Sequence, residues 1–230
     1  MIATPGLRLI LKTSAAVALG TTLPVIIPSA ISGSLNYARE RLINWRLAAY
    51  LIPAGLFGVV AGSILTAFIP TDLLLFLTAI AIFFLGLPYL FPKRAKAAGA
   101  RLAREAPRAV AIGASAGFLA GLLGLGGGFV LIPGMTGLLK KHLKEAFGTS
   151  LVAVTAFAIP GSLVHYYLGH IDLTVMVLLV IGSVPGAYAG SRVAVAMNER
   201  ALRILFGAFL MTIAVYFGVF EARILLGGGL

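Results

Sequence analysis

Long runs without a single acid or base divide this chain: residues 13–38, 47–71, 73–92, 109–139, 173–191 and 204–220 hold none. Each is near or above the roughly 18 apolar residues that a membrane-spanning helix needs. Residues 146–171 make a seventh run, interrupted by His165 and His170 alone. The pattern predicts seven membrane segments and an all-α, polytopic integral membrane protein.

The run 109–139 is the odd one. Its 31 residues would make a helix of about 46 Å against a hydrocarbon core of about 30 Å. Gly124, Gly126, Gly127 and Gly128 interrupt it, which predicts two half-length helices joined by an unwound turn, entering and leaving on one side. The basic residues test this. If the segment crosses once, ten of the eighteen Lys and Arg fall on the cytoplasmic side and eight outside, almost no bias. If it is re-entrant, Arg39, Arg41, Arg46, the basic stretch 93–108, Lys140, Lys141, Lys144, Arg192, Arg200 and Arg203 all lie inside, leaving Arg8, Lys12 and Arg223 outside. The positive-inside rule therefore selects the glycine-broken, re-entrant form.

Placing residue i beside residue i+128 aligns two halves without a gap. Ala30-Ile31-Ser32-Gly33-Ser34-Leu35 lies over Ala158-Ile159-Pro160-Gly161-Ser162-Leu163, and Gly20-Thr21-Thr22-Leu23 lies over Gly148-Thr149-Ser150-Leu151. Gly58 and Ala61-Gly62-Ser63 lie over Gly186 and Ala189-Gly190-Ser191. The chain is read as a first repeat, 1–92, a basic cytoplasmic linker, 93–108, a second, complete repeat, 109–221, and a tail, 222–230. With three crossings per repeat, the copies run in opposite directions, the inverted arrangement of many secondary transporters. The same offset puts Met1 on Phe129, just after Gly124-Leu125-Gly126-Gly127-Gly128. The first copy thus lacks its own N-terminal helix and glycine motif, through natural loss or a start codon placed too late. A late start is the expectation, since a transporter built on a repeat pair needs both halves of its site.

Composition narrows the chemistry. The chain is 60% hydrophobic and 11% charged, with mean hydropathy +1.05 and no cysteine, so disulfides, cysteine-based zinc sites and thiol nucleophiles are excluded. Its net charge of +11 sits in loops between apolar runs without aromatic interleaving, the pattern of loops facing anionic lipid rather than nucleic acid. The acids Glu40, Asp72, Glu105, Glu145, Asp172, Glu199 and Glu221 all fall in or beside loops, so no carboxylate sits mid-membrane to hold a proton or sodium ion. His165 and His170 flank a short loop and are expected at the surface.

The glycine run followed by Pro133 is the most informative local feature. An unwound turn in a bilayer leaves N–H groups that only a ligand, a cavity or other protein groups satisfy, and such a nest suits an oxyanion. The bland alternative is a tight kink. Thr149 and Ser150, with Thr21 and Thr22 in the first copy, offer hydroxyls near span starts, although Ser and Thr in membrane helices commonly bond back to their own helix. Ser34, Ser162 and prolines 24, 28 and 160 mark helix breaks lining a cavity, or mere kinks. Gly182, Gly186 and Gly190, with Ala54, Gly58 and Gly62 at matching positions, read as close packing through small residues, as do Gly113, Gly117 and Gly121. Gly113-Ala-Ser115-Ala-Gly117 matches a nucleophile-elbow pattern but lacks the strand, histidine and acid which that motif needs.

The run Gly117-Phe-Leu-Ala-Gly-Leu-Leu-Gly-Leu-Gly-Gly-Gly-Phe-Val-Leu-Ile-Pro133, followed by Gly148-Thr-Ser150 and Gly161-Ser162, resembles the sulfite exporter TauE/SafE family through both copies. The resemblance implies a multi-pass permease of the cell membrane with duplicated halves, each with a glycine motif. It implies that Gly126, Gly127, Gly128, Thr149 and Ser150, with Thr21 and Thr22, line an anion site; Pro133, Ser34 and Ser162 complete the candidate set. The expectation is export of sulfite or a related sulfur oxyanion or organosulfonate, without metal, cofactor or catalysis. The partners are the bilayer and a small anion, not nucleic acid, and a homo-oligomer is compatible. The alternative is a non-transporting membrane assembly module or an inactive, truncated permease.

Overall fold

A computed structural model of the protein describes residues 15–69, 71–90, 102–123 and 126–225. The start of the chain through Lys12, linker residues 93–101, Gly124 and the end of the tail lie outside these. The described elements are α1 (Ala15–Arg39), α2 (Trp45–Leu65), α3 (Thr71–Leu90), α4 (Leu102–Leu123), α5 (Gly128–Pro133), α6 (Leu143–Tyr167), α7 (Leu173–Ala196) and α8 (Glu199–Leu225). A 3-10 turn, Thr66–Phe68, ends α2, and a π-type turn, Gly134–Leu138, extends α5. Trp45–Leu65, Glu105–Leu123, Leu143–Tyr167 and Leu173–Ala196 are long and apolar enough to cross a bilayer.

Prolines 24, 28, 53, 88, 107, 160 and 185 lie inside the long helices. Membrane helices tolerate them because neighbouring groups satisfy the freed carbonyls. Helices α2 and α7 have side-chain caps: the Asn44 Oδ1 accepts from the Leu47 N–H at 2.9 Å, and the Asp172 Oδ1 accepts from the Val175 N–H at 3.0 Å. Such a cap contributes about 1 kcal/mol. Asn44 and Asp172 are 128 residues apart, as are Leu47 and Val175.

Helix α1 packs on α6 and α7, α2 on α4 and α6, and α3 on α8. The α1 and α6 helices are antiparallel. Leu23, near the start of α1, meets Gly161 toward the end of α6, and Tyr37, near the end of α1, stacks on Phe147 near the start of α6 at 6.5 Å. Leu151 meets Gly33 in the same way, and this is the Leu23–Gly161 pair with each residue moved by 128 into the other half. The α3 and α8 helices are also antiparallel, Ala79 meeting Gly218 and Leu90 meeting Gly207.

The run expected to form two half-length helices forms unequal limbs instead. Helix α4 has 22 residues, whereas α5 has six before the π-type turn. The cause is α2: the two helices run parallel in close backbone contact from Leu51 beside Gly113 to Thr66, whose hydroxyl donates to the Leu122 carbonyl at 3.1 Å. That pairing holds α4 helical almost to the glycines. The short limb then folds back along α4, with Gly127 beside Ala116 and Ala120 and Gly134 beside Ile112. At the mouth of this hairpin Lys141 and Glu105 form an ion pair at 3.2 Å.

The basic loops gather at one end of the bundle. Arg39 donates to the Tyr188 hydroxyl at 3.1 Å and lines a cleft with Arg192, while Arg41, His142, Lys144, Glu145 and Glu199 line another. The Lys144 ammonium donates to the Val195 carbonyl at 2.6 Å, tying α6 to the end of α7.

The α2–α4 contact depends on absent side chains. A Cβ on Gly58 would lie 2.5 Å from the Ala114 carbonyl oxygen and 2.7 Å from the Phe118 amide nitrogen, both backbone atoms that cannot swing aside. Overpacking of this kind costs about 1–3 kcal/mol. Gly58→Val is therefore expected to lower the thermal midpoint of the purified protein by several degrees, read by loss of the monodisperse peak after heating.

Candidate anion site

Two left-handed residues make the turn. Gly126 and Gly127 have φ of +73° and +70°, a conformation that costs a residue with a Cβ about 1–2 kcal/mol. The Gly127 carbonyl accepts from the Val130 and Leu131 N–H groups at 3.0 Å each, starting α5. Gly126 lies buried between α1 and α6: a Cβ there would sit 2.9 Å from the Ile26 Cδ1 and 3.0 Å from the Val154 Cγ1. Ile26 and Val154 are 128 residues apart, so the turn meets matching points of the two halves. A Cβ on Gly127 would meet the Ala116 carbonyl at 2.6 Å. Gly128 alone has room, its nearest neighbour being the Val154 Cγ2 at 3.7 Å.

Thr22 and Ser150 lie one turn before Ile26 and Val154, on the same helix faces, and both are buried. The structure thus brings Gly126, Gly127 and Gly128 to the helix faces that carry Thr22 and Ser150. The Ser150 hydroxyl donates to the Phe147 carbonyl at 2.9 Å. Ser34 bonds back to the Ile31 carbonyl at 2.8 Å, Ser162 has a buried hydroxyl with no protein partner, and both lie more than two turns beyond Ile26 and Val154. Pro133 ends α5 beyond the turn.

Thr21 and Thr149 do a different job. The Thr149 hydroxyl oxygen accepts from the Asn44 N–H at 3.0 Å, and the Thr21 hydroxyl oxygen accepts from the Asp172 N–H at 3.0 Å. Each catches the loop that leads into a helix of the other half. The glycine before each makes the approach possible: a Cβ on Gly20 would strike the His170 carbonyl, and one on Gly148 would lie 2.7 Å from the Leu42 carbonyl oxygen.

The expectation of surface histidines holds only for one. His165 is fully buried, with its Nδ1 3.3 Å from the His170 Nδ1 and its Nε2 3.5 Å from the Gly121 carbonyl oxygen. His170 lies in the loop, where burial pushes its imidazole below the ordinary value. The pair ties the outer loop to the last turn of α4, next to the glycines. A signal was present in the chain, because His165 lies 128 residues after Tyr37, and an aromatic ring at matching positions of both copies marks an interior site.

The family model for the sulfite exporter TauE/SafE family matches residues 1–217. The chain belongs to the TauE/SafE family. The probable membrane transporter protein YdhB of Bacillus subtilis is 28% identical over 191 residues, covering 81% of this chain and 78% of its own. A probable membrane transporter protein of Xylella fastidiosa (strain 9a5c) is 25% identical over 223 residues, covering 94% and 85%. No solved structure matches the chain. This TauE/SafE protein is a multi-pass membrane transporter, acting on a small molecule from within the bilayer.

At the basic end of this transporter, Glu199 binds three groups. Burial alone would raise its carboxyl, but the Leu143 N–H at 2.9 Å, His142 at 3.4 Å and the nearby Arg203 together hold it below the usual range. A carboxylate with a depressed folded pKa stabilises fully above its unfolded pKa and loses that contribution as pH falls through the folded value. Acidification below about pH 4.5 should therefore loosen the α6–α8 junction. The single tryptophan, Trp45, lies at the same end, beside Asn44. Its emission should shift on acidification, and Glu199→Gln should reduce the amplitude. Thr149→Val leaves the Asn44 N–H without its partner and should cost about 1–3 kcal/mol, read as a lower thermal midpoint by the same tryptophan.

Proposed function

We propose that this TauE/SafE transporter is a permease for a small anion, sulfite or a related sulfur oxyanion or organosulfonate, moved outward by alternating access between two inverted repeats. The observation that carries the reading is the Gly126–Gly128 turn, lodged where Ile26 of one half and Val154 of the other converge. A turn of this kind presents backbone N–H groups, which bind oxyanions without a fixed positive charge that would hold the cargo too tightly. Thr22 and Ser150, one turn away on either side, supply hydroxyls of matching placement. The pairing of contacts at an offset of 128 supports the inverted-repeat reading, and the α4–α5 hairpin with its Lys141–Glu105 mouth supports the re-entrant one.

Outward movement of an anion needs no dedicated coupling residue. A membrane potential negative inside drives each negative charge out by about 2.3 kcal/mol per 100 mV, in keeping with carboxylates placed at loops. The printed family description names sulfite, and a compact, strongly hydrogen-bonding oxyanion fits a backbone nest better than a bulky organic acid.

The two glycines separate ligand contact from folding. Gly128→Ala adds a methyl group where the nearest neighbour is 3.7 Å away, whereas Gly127→Ala meets the Ala116 carbonyl and a positive φ. In counterflow of labelled sulfite into proteoliposomes, Gly128→Ala is expected to cut the rate at least several-fold while leaving the thermal midpoint within a degree or two. Unchanged counterflow in a fully folded Gly128→Ala protein would remove the turn from the site.

A further inference from the structure

Helices α2 and α7 occupy matching places, 45–65 and 173–193 at the 128 offset, yet their surroundings differ. The small face of α2 is filled. Gly58 and Gly62 press on the backbone of α4, and Gly113, Gly117 and Gly121 of α4 press back on Leu51, Gly55 and Val59. The matching positions on α7 are Gly186 and Gly190, with Gly182 one turn before. A Cβ on any of the three meets nothing within 4 Å among the described residues. The same contrast runs along the whole helix: 39% of the α2 span is buried and none of the α7 span. The expected packing through the small residues of α7 is thus not made by any described residue.

The other flank of α7 is firmly held. Ser183 and Ser29 hydroxyls bond at 2.7 Å, Ser32 donates to the Val184 carbonyl at 2.9 Å, and the Asn36 amide donates to the Tyr188 carbonyl and the Ser191 hydroxyl at 2.9 and 2.8 Å. The glycine flank therefore belongs to a fixed helix. Leu178, Ile181 and Val193 beside it are more than half exposed, giving an apolar border to the glycine stripe. In hydrocarbon the gain from burying such a face comes from close backbone packing rather than from water release. Straight lipid chains do not fill a stripe of missing side chains as a second glycine-faced helix does.

We propose that the Gly182–Gly186–Gly190 flank of α7 is the docking face for one further transmembrane helix of the α4 kind, with small residues at four-residue spacing, lying parallel to α7 in backbone contact. The occupant is identified by the chain's own geometry, since the matching face of α2 holds such a helix. A second copy of this chain fits less well, because its α4 is already enclosed against its own α2 and only an α7 would be on offer. The inference does not depend on the transported substrate.

The protein has no cysteine, so a single reporter can be attached cleanly. Bimane on Ala189→Cys, in the full chain reconstituted in bilayers, reports contact with a synthetic peptide of residues 105–123 carrying Phe118→Trp. The expected result is saturable quenching, displaced by the peptide without tryptophan and lost with Gly186→Leu, which touches no described neighbour and should melt at the parent temperature. A peptide carrying Gly117→Leu, tested on the unaltered glycine face, should likewise fail to quench. Non-saturable quenching, or quenching retained in both leucine variants, overturns the proposal. So does cysteine cross-linking between two copies at position 189 that the peptide does not displace, which would give the face to a second copy.

Discussion

Each of the two central helices holds the loop that follows the other. Thr21 of α1 accepts the Asp172 N–H beyond α6, and Thr149 of α6 accepts the Asn44 N–H beyond α1. At the edge of hydrocarbon an unpaired backbone N–H costs several kcal/mol, so these two hydroxyls fix where α7 and α2 begin. Everything outward of α1 and α6 takes its position from there. Helix α2 sets the line along which α4 rises, α4 sets the height at which the glycines turn, and the turn is delivered between Ile26 and Val154. The site is thus placed by a chain of contacts that begins at two threonines remote from it.

This accounts for the division of labour within a pair of adjacent residues. Thr21 and Thr149 hold loops, while Thr22 and Ser150 sit on the faces that lead to the glycine turn. Reading all four as one set of cavity hydroxyls missed that a helix turns about 100° per residue, so neighbours serve different surfaces. The glycines divide in the same way. Gly20 and Gly148 are small so that a loop can approach, Gly58 and Gly117 so that a helix can approach, and Gly126 and Gly127 so that the backbone can turn back.

The membrane segments were legible because charge is excluded from hydrocarbon whatever the fold, and the offset of 128 was legible because matched residues such as Leu23 and Leu151 keep matched neighbours. The unequal limbs of the hairpin were not. Nothing in residues 109–139 says that α2 will hold α4 helical to Leu123; that is decided by Gly58 and Gly62, more than fifty residues away. Nor does the local sequence bury His165, whose environment is made by Gly121 and the loop at His170. The small face of α7 was read correctly as a packing surface by its spacing, but spacing carries no information on whether the packing helix is present.

The exchanged loops also bear on how such a chain is made. The Thr21–Asp172 bond joins residues 151 apart in sequence. At a synthesis rate of about 5–20 residues per second, Thr21 enters the bilayer roughly 8–30 s before its partner leaves the ribosome. For that interval α1 has its own hydrogen bonds but no tertiary contact to keep it in place, and the first half cannot be finished before the second has been inserted. A nascent chain of this design needs a protected, waiting intermediate, and its assembly is a single late event rather than two successive ones.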